Sequence, residues 1–302
     1  FSHFHEETMR SQMSVCVPEP GLLSIHYTRQ EYPVYGTGDY KSPALCIRQE
    51  DGSRITNFVY KDYKILKGKP SLAPLPATYV EDDGEGDTLE ITLHDDKINT
   101  DMVLSYTIYK DYPVITRNTR FLHKGESSIV LEKAMSVCVE FLDMDFEMVQ
   151  LSGAWARERY VKSRRLEMGI QSIYGMNGTC GGAEHNPFMA LKRPDAGEYN
   201  GEVYGFSFVY SGNFLIQTEV STFDMTRVTA GIHPESFSWV LQKGESFQTP
   251  ETVMVYSDQG LNKMSQTYHR LYRKRLMRGT WRDKARPILL NNWEATYFDF
   301  TE

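Results

Sequence analysis

From Thr88 onward the chain is written in short runs whose side chains alternate in character, and this period of two constrains the fold more than any other feature. Thr88-Leu89-Glu90-Ile91-Thr92-Leu93 alternates polar and apolar, residues 102–109 are β-branched and aromatic, and residues 114–121 follow a Tyr-Pro break. Turn signals separate such runs at Asp82-Asp83-Gly84, His123-Lys124-Gly125 and Gly181-Gly182. The runs 203–210, 214–220 and 251–256 continue the theme, with Ser211-Gly212-Asn213 reading as a hairpin turn. Repeated short strands with turns between them predict a large antiparallel β-sandwich, and an aromatic share of 13% suits it.

The pattern then changes. Leu261, Met264, Tyr268, Leu271, Tyr272 and Leu276 fall three and four apart, the spacing of an amphipathic helix, with Asp258 or Asn262 as candidate cap and Gly279 as stop. Arg273, Lys274, Arg275 and Arg278 load its last turns, where positive charge complements the helix dipole. A nucleic-acid role for that cluster fits poorly with a chain carrying 33 Lys and Arg against 40 Asp and Glu, a net charge of −7. Farther on, Ile288-Leu289-Leu290 is a continuous apolar run, which predicts a strand at 288–292 buried on both faces, as in a parallel sheet. No run approaches the ~20 apolar residues that span a bilayer. A lone parallel strand near residue 302 implies that a second domain has only begun. The opening Phe1-Ser2-His3-Phe4 likewise implies a natural start upstream.

Local chemistry alone names no reaction. The phosphate, dinucleotide, zincin and hydrolase-elbow motifs are missing from the sequence. Cys16, Cys46, Cys138 and Cys180 are too far apart for a disulfide scaffold or a structural zinc site, and they read as isolated thiols. Asp143, Asp145 and Glu147 fall at period two, which on a strand places three carboxylates on one face; acid–base work needs two, but a solvated sheet face is the simpler account of them. His185 in Glu184-His185-Asn186-Pro187-Phe188 is either functional or fixes a turn. Gly153-Ala154-Trp155-Ala156-Arg157-Glu158-Arg159 offers an aromatic and two arginines for a sugar or an anion, or for an Arg–carboxylate network. Asn177-Gly178-Thr179 is a glycosylation sequon only in a glycosylating cell.

Several blocks taken together are more specific. Gln30-Glu31-Tyr32-Pro33-Val34-Tyr35-Gly36-Thr37-Gly38-Asp39-Tyr40, Leu75-Pro76-Ala77-Thr78-Tyr79-Val80-Glu81, the 153–159 block and Gly201-Glu202-Val203-Tyr204-Gly205-Phe206 resemble bacterial α-galactosidases of glycoside hydrolase family 36. So do Phe247-Gln248-Thr249-Pro250-Glu251, Met254-Val255-Tyr256-Ser257-Asp258-Gln259-Gly260 and Asn291-Asn292-Trp293-Glu294-Ala295-Thr296-Tyr297. The resemblance implies a mainly β chain: a large antiparallel β-supersandwich over 1–258, a linking helix and linker over 259–285, and the first strand of a (β/α)8 barrel over 286–302. It implies retaining hydrolysis of terminal α-linked galactose from oligosaccharides such as melibiose and raffinose, by two aspartates that lie beyond residue 302. This chain is then expected to be inactive, with no cofactor and no metal.

Within the chain the resemblance implies two substrate-binding residues. Trp293 sits at the barrel rim, where an indole face suits the apolar surface of a sugar; Arg10 lies on a sandwich loop that reaches a neighbouring subunit's site in a homo-oligomer, a tetramer. The segment before Asn186-Pro187-Phe188 departs from the family's usual string, which bears on any role of His185. A cytoplasmic location, no membrane and no nucleic-acid partner are expected. The alternatives are a stand-alone carbohydrate-binding or assembly β-sandwich, and the same fold acting on another galactoside.

Overall fold

The computed structural model describes residues 13–19, 22–27, 29–36, 39, 41–178 and 184–301, the first two stretches as backbone alone. In chain order the strands are β1 (Met13–Glu19), β2 (Leu22–Tyr27), β3 (Leu45–Arg48), β4 (Val59–Lys67), β5 (Gly86–Asp95), β6 (Thr100–Tyr109), β7 (Val114–His123), β8 (Ile129–Phe141) and β9 (Glu147–Ala154). They continue as β10 (Arg157–Arg165), β11 (Gly169–Gly175), β12 (His185–Lys192), β13 (Val203–Val209), β14 (Phe214–Val220), β15 (Thr226–Ile232), β16 (Trp239–Leu241), β17 (Ser246–Gln248) and β18 (Glu251–Ser257). Helix α1 (Gly260–Arg275) and a single turn, α2 (Trp293–Thr296), follow.

Two antiparallel sheets face each other. One runs β10-β9-β12-β13-β18-β7-β6-β5-β4, with β17 also on β7; the other runs β11-β14-β15-β8-β16, with β3 also on β8. Among the described residues, strands β1 and β2 pair with each other and with no other strand. Between the sheets, Met102, Leu104 and Phe121 pack with Leu45, Leu131 and Met135. Met189, Phe206 and Phe208 pack with Val137, Ile216 and Val228. Burial of this apolar area is the main stabilising term. The margins of the larger sheet are β4 and β10; β10 exposes all nine of its residues, Arg157, Arg159, Lys162, Arg164 and Arg165 among them.

The outer face of the large sheet is also covered. Val203, Val253 and Val255 pack with Met264, Tyr268 and Leu271 of α1. Gly205 permits that approach, because a Cβ there would lie 2.7 Å from Met264 Sδ and 2.8 Å from Tyr268 Cε2. The helix starts without the expected cap from Asp258 or Asn262, and Gln259 makes no side-chain cap bond. Its first amides are satisfied by backbone instead: Gly260, Leu261 and Asn262 donate to the carbonyls of Gly201, Gly197 and Glu198 at 2.9–3.1 Å. The basic last turn is present, but the helix ends at Arg275 rather than near Gly279.

Two other expectations are corrected. Ser211-Gly212-Asn213 closes no hairpin: β13 pairs β12 and β18 in one sheet, β14 pairs β11 and β15 in the other, and the turn carries the chain between layers. The buried strand at 288–292 is not formed, and Ile288, Leu289 and Leu290 are 101, 90 and 86% exposed. A parallel strand needs neighbours to pair with, and none of the described residues lies alongside this run. No helix among the described residues is long and apolar enough to cross a membrane.

Candidate functional site

Trp293 opens the single turn α2, its amide donating to Asn291 Oδ1 at 3.0 Å, while Asn292 Nδ2 donates to Thr296 Oγ1 at 3.1 Å. Its indole, 48% exposed, meets the rings of Tyr297 and Phe298 edge-on at 5.4 and 5.1 Å. The result is a solvent-facing aromatic cluster next to the apolar run 288–290. Arg10 lies outside the described residues, as do Thr179, Cys180 and the Gly181-Gly182 turn.

The chain's path towards this cluster is held by a clamp on Tyr79. The Tyr79 amide donates to the Arg275 carbonyl at 2.8 Å and its hydroxyl to the Met277 carbonyl at 3.0 Å. Arg278 lies over its ring at 4.0 Å, and Arg282 donates to its hydroxyl at 2.9 Å and pairs with Glu81. Arg275 completes the clamp with a two-pronged bond to Glu85, both contacts 2.6 Å. Farther inward, the Glu251 carboxylate accepts from the amide and hydroxyl of Thr78 at 2.8 and 2.7 Å and pairs with Lys69 at 2.5 Å, with both charged side chains fully buried.

The other candidates have structural partners. Asp143 and Asp145 lie on the loop before β9 rather than on a strand face. Asp143 pairs with Arg193 at 2.5 and 3.2 Å, Asp145 with Arg165 at 2.9 Å and Glu147 with Lys192 at 2.9 Å. The hydrogen bond from Arg193 holds the Asp143 carboxyl below its ordinary range, and that from Lys192 does the same for Glu147. A proton donor needs the opposite shift, so these carboxylates are ionised partners in charge networks. His185 begins β12 with Nδ1 2.8 Å from Ser152 Oγ; burial lowers its pKa, and the neutral ring braces the β9–β12 pair. The 153–159 block forms the β9–β10 turn, with Ala156 and Arg159 at positive φ and Trp155 88% exposed at the tip. Cys46 and Cys138 are free thiols, and burial pushes Cys138 up to about 12. Among the described residues no group of His, Cys, Asp or Glu is arranged to hold a metal.

The first resemblance block is tied down by charge. Gln30 donates its amide to Glu140 at 2.7 Å, and fully buried Arg227 joins Glu140 at 2.7 Å and pairs with Asp39. No local sequence signal announces this network or the Tyr79 clamp, because the partners come from distant parts of the chain.

Against known proteins, residues 4–242 match the glycosyl hydrolase family 36 N-terminal domain and residues 246–302 match the melibiase family. The α-galactosidase AgaA of Geobacillus stearothermophilus is 53% identical over 285 residues, which is 94% of this chain and 39% of that protein. An α-galactosidase of Lactobacillus acidophilus is 45% identical over 273 residues, 90% of this chain and 37% of its own length. A solved structure of a variant of the Geobacillus enzyme in complex with raffinose superposes with a TM-score of 0.88 at 50% identity, covering 97% of this chain and 41% of that one. The chain thus spans about two fifths of the length of the curated relatives it matches. With the sandwich, the linking helix and the matched blocks all in place, the chain belongs to glycosyl hydrolase family 36, whose N-terminal domain accounts for most of its length.

Proposed function

We propose that this chain is the N-terminal part of a retaining α-galactosidase that releases terminal α-linked galactose from oligosaccharides of the raffinose and melibiose type. The observation that carries the reading is the 53% identity to an α-galactosidase across nearly the whole chain; the raffinose complex of a relative points to the substrate class. Retention requires two carboxyl groups about 5–5.5 Å apart, one as nucleophile and one as acid–base. The family resemblance implies that both catalytic aspartates lie beyond residue 302, and the carboxylates of 143–147, each paired with a cation, offer no rival pair. Residues 286–302 then begin the catalytic barrel, and the exposed run 288–290 becomes its first strand once neighbouring strands are present.

In this reading the sandwich with α1 is a scaffold and Trp293 lines the sugar site, its indole face against the apolar side of galactose. Arg10 contacts the sugar in a neighbouring subunit of a tetramer, and the protein works in the cytoplasm. The test is hydrolysis of p-nitrophenyl α-D-galactoside by this chain beside the full open reading frame. Activity in the full protein and none in the chain supports the reading. Turnover by the chain itself overturns the placement of the catalytic pair, and no activity in either overturns the substrate.

A further inference from the structure

The two sheets are unequal, and at one end of the larger one the smaller does not reach. Strand alternation places Tyr63, Ile65, Leu89, Tyr106, Ile108 and Tyr256 on the inner face of the large sheet, the face opposite the one that packs on α1. Inner-facing apolar residues are normally buried, yet Tyr63, Ile65 and Ile108 are 57, 66 and 53% exposed. They line an open cleft of two lobes, about 680 and 610 Å³, that share Tyr106 and Ile108. Each lobe falls in the roughly 300–1,000 Å³ range of small-molecule clefts.

Its lining is unusually rich in one residue type. Tyr60, Tyr63 and Tyr106 line one lobe, and Tyr106, Tyr112, Tyr204 and Tyr256 the other. The register shift between Tyr60 and Asp62 is a bulge that brings Tyr60 and Tyr63, three apart in sequence, onto the same face. Tyr204 and Tyr256 sit 5.2 Å apart, and all of these except Tyr112 are mounted on strands. Polar groups of both signs are spaced along the cleft: the Lys67–Asp87 pair at 2.8 Å at one end, Glu31 accepting from Tyr106 in the middle, and Glu202 accepting from Tyr256 at 3.1 Å at the other. An anionic ligand would call for excess positive charge, and an acyl chain for no polar groups. Flat aromatic faces interleaved with hydrogen-bonding groups, with no excess of positive charge, match a molecule with apolar C–H faces between hydroxyls.

We propose that this cleft binds a neutral oligosaccharide. Helix α1, which carries the chain on to residues 276–301, packs on the opposite face of the sheet, so the path towards Trp293 leaves the cleft open. Sugar binding here is independent of the hydrolytic activity proposed above, and either can fail without the other.

The test is titration of this chain with stachyose and with raffinose, followed by calorimetry and by tyrosine side-chain NMR. Saturable binding is expected, weakened about tenfold by Tyr63→Ala and by Tyr256→Ala, since each removes one aromatic face. Tyr199→Ala, at an exposed tyrosine outside the cleft lining, is expected to bind like the parent. Binding of neither sugar by folded chain, or binding that both cleft variants leave unchanged, overturns the proposal. So does side-chain footprinting that finds Tyr63 and Tyr256 already shielded without sugar, whether by residues 1–28 or by a second copy of the chain.

Discussion

The hydroxyl of Tyr79 both donates to the carbonyl of Met277, at 3.0 Å, and accepts from Arg282, at 2.9 Å, so one phenol oxygen ties the 75–85 loop to the segment after α1. Tyr79→Phe keeps the ring beneath Arg278 and removes only these bonds. The expected cost is about 1 kcal/mol in urea unfolding, with the fold unchanged. A variant indistinguishable from the parent would show that the clamp contributes nothing to stability.

The buried Lys69–Glu251 pair makes a sharper prediction. Lys69→Met leaves the Glu251 carboxylate without its cation in a site closed to water, at a cost of about 3 kcal/mol. Adding Glu251→Gln removes the stranded charge while its Oε1 still accepts from Thr78, so the double variant recovers part of the loss. Lys64→Met, at the more exposed pair with Glu90, is the reference. If Lys69→Met costs no more than Lys64→Met, the buried pair lacks the importance given to it here.

Asp101 sets an acid limit. Burial alone would raise its pKa, but hydrogen bonds from Lys124 at 2.5 Å, His94 at 2.6 Å and Lys61 at 3.1 Å hold it at about 2. A folded-state value below the unfolded one means that stability is fully present above the ordinary 3.8 and is lost as pH falls from there towards 2. The contribution is on the order of 1 kcal/mol once solvent screening is allowed for. Urea midpoints between pH 5 and 2 measure it, and Asp101→Asn is expected to flatten that part of the curve.

In the complete enzyme, Trp293→Ala is expected to lower kcat/KM for galactosides about tenfold or more and to leave the melting temperature in place, since the indole is half exposed and meets the rings of its chain neighbours Tyr297 and Phe298. Unchanged kinetics would remove Trp293 from the site.

How far the sequence could be read depended on whether the deciding contact was local. Phe214–Val220 is a strand with the bounds its pattern suggests, and the 3.6-residue spacing of Met264, Tyr268 and Leu271 marks the helix face that is buried. The layer change at Ser211-Gly212-Asn213 was not legible, because a tight polar turn looks the same whether the next strand pairs back or crosses to another sheet. The apolar run 288–290 reads as buried because periodicity reports what a segment needs, not whether its partners are at hand. For the site, Trp293 and Arg10 came from resemblance alone. The spacing of Asp143 and Asp145 left acid–base work and a solvated face both open, and it could not show that Arg193 and Arg165 stand beside them. The tyrosine cleft was invisible in sequence, since Tyr63 and Tyr256 converge only when β4 and β18 share a sheet.

The charged margins of the large sheet have a consequence for how the protein behaves in a crowd. Among the described residues no strand pairs with the outer side of β4 or β10, and such an edge is the template on which another chain's strand can add. Edge-to-edge addition of two copies through β10 would set its arginines within about 5 Å of like charges on the facing strand. That repulsion makes fibrous stacking unfavourable along the β10 border, and replacing its arginines with threonine or valine would lower the concentration at which the protein stays dispersed.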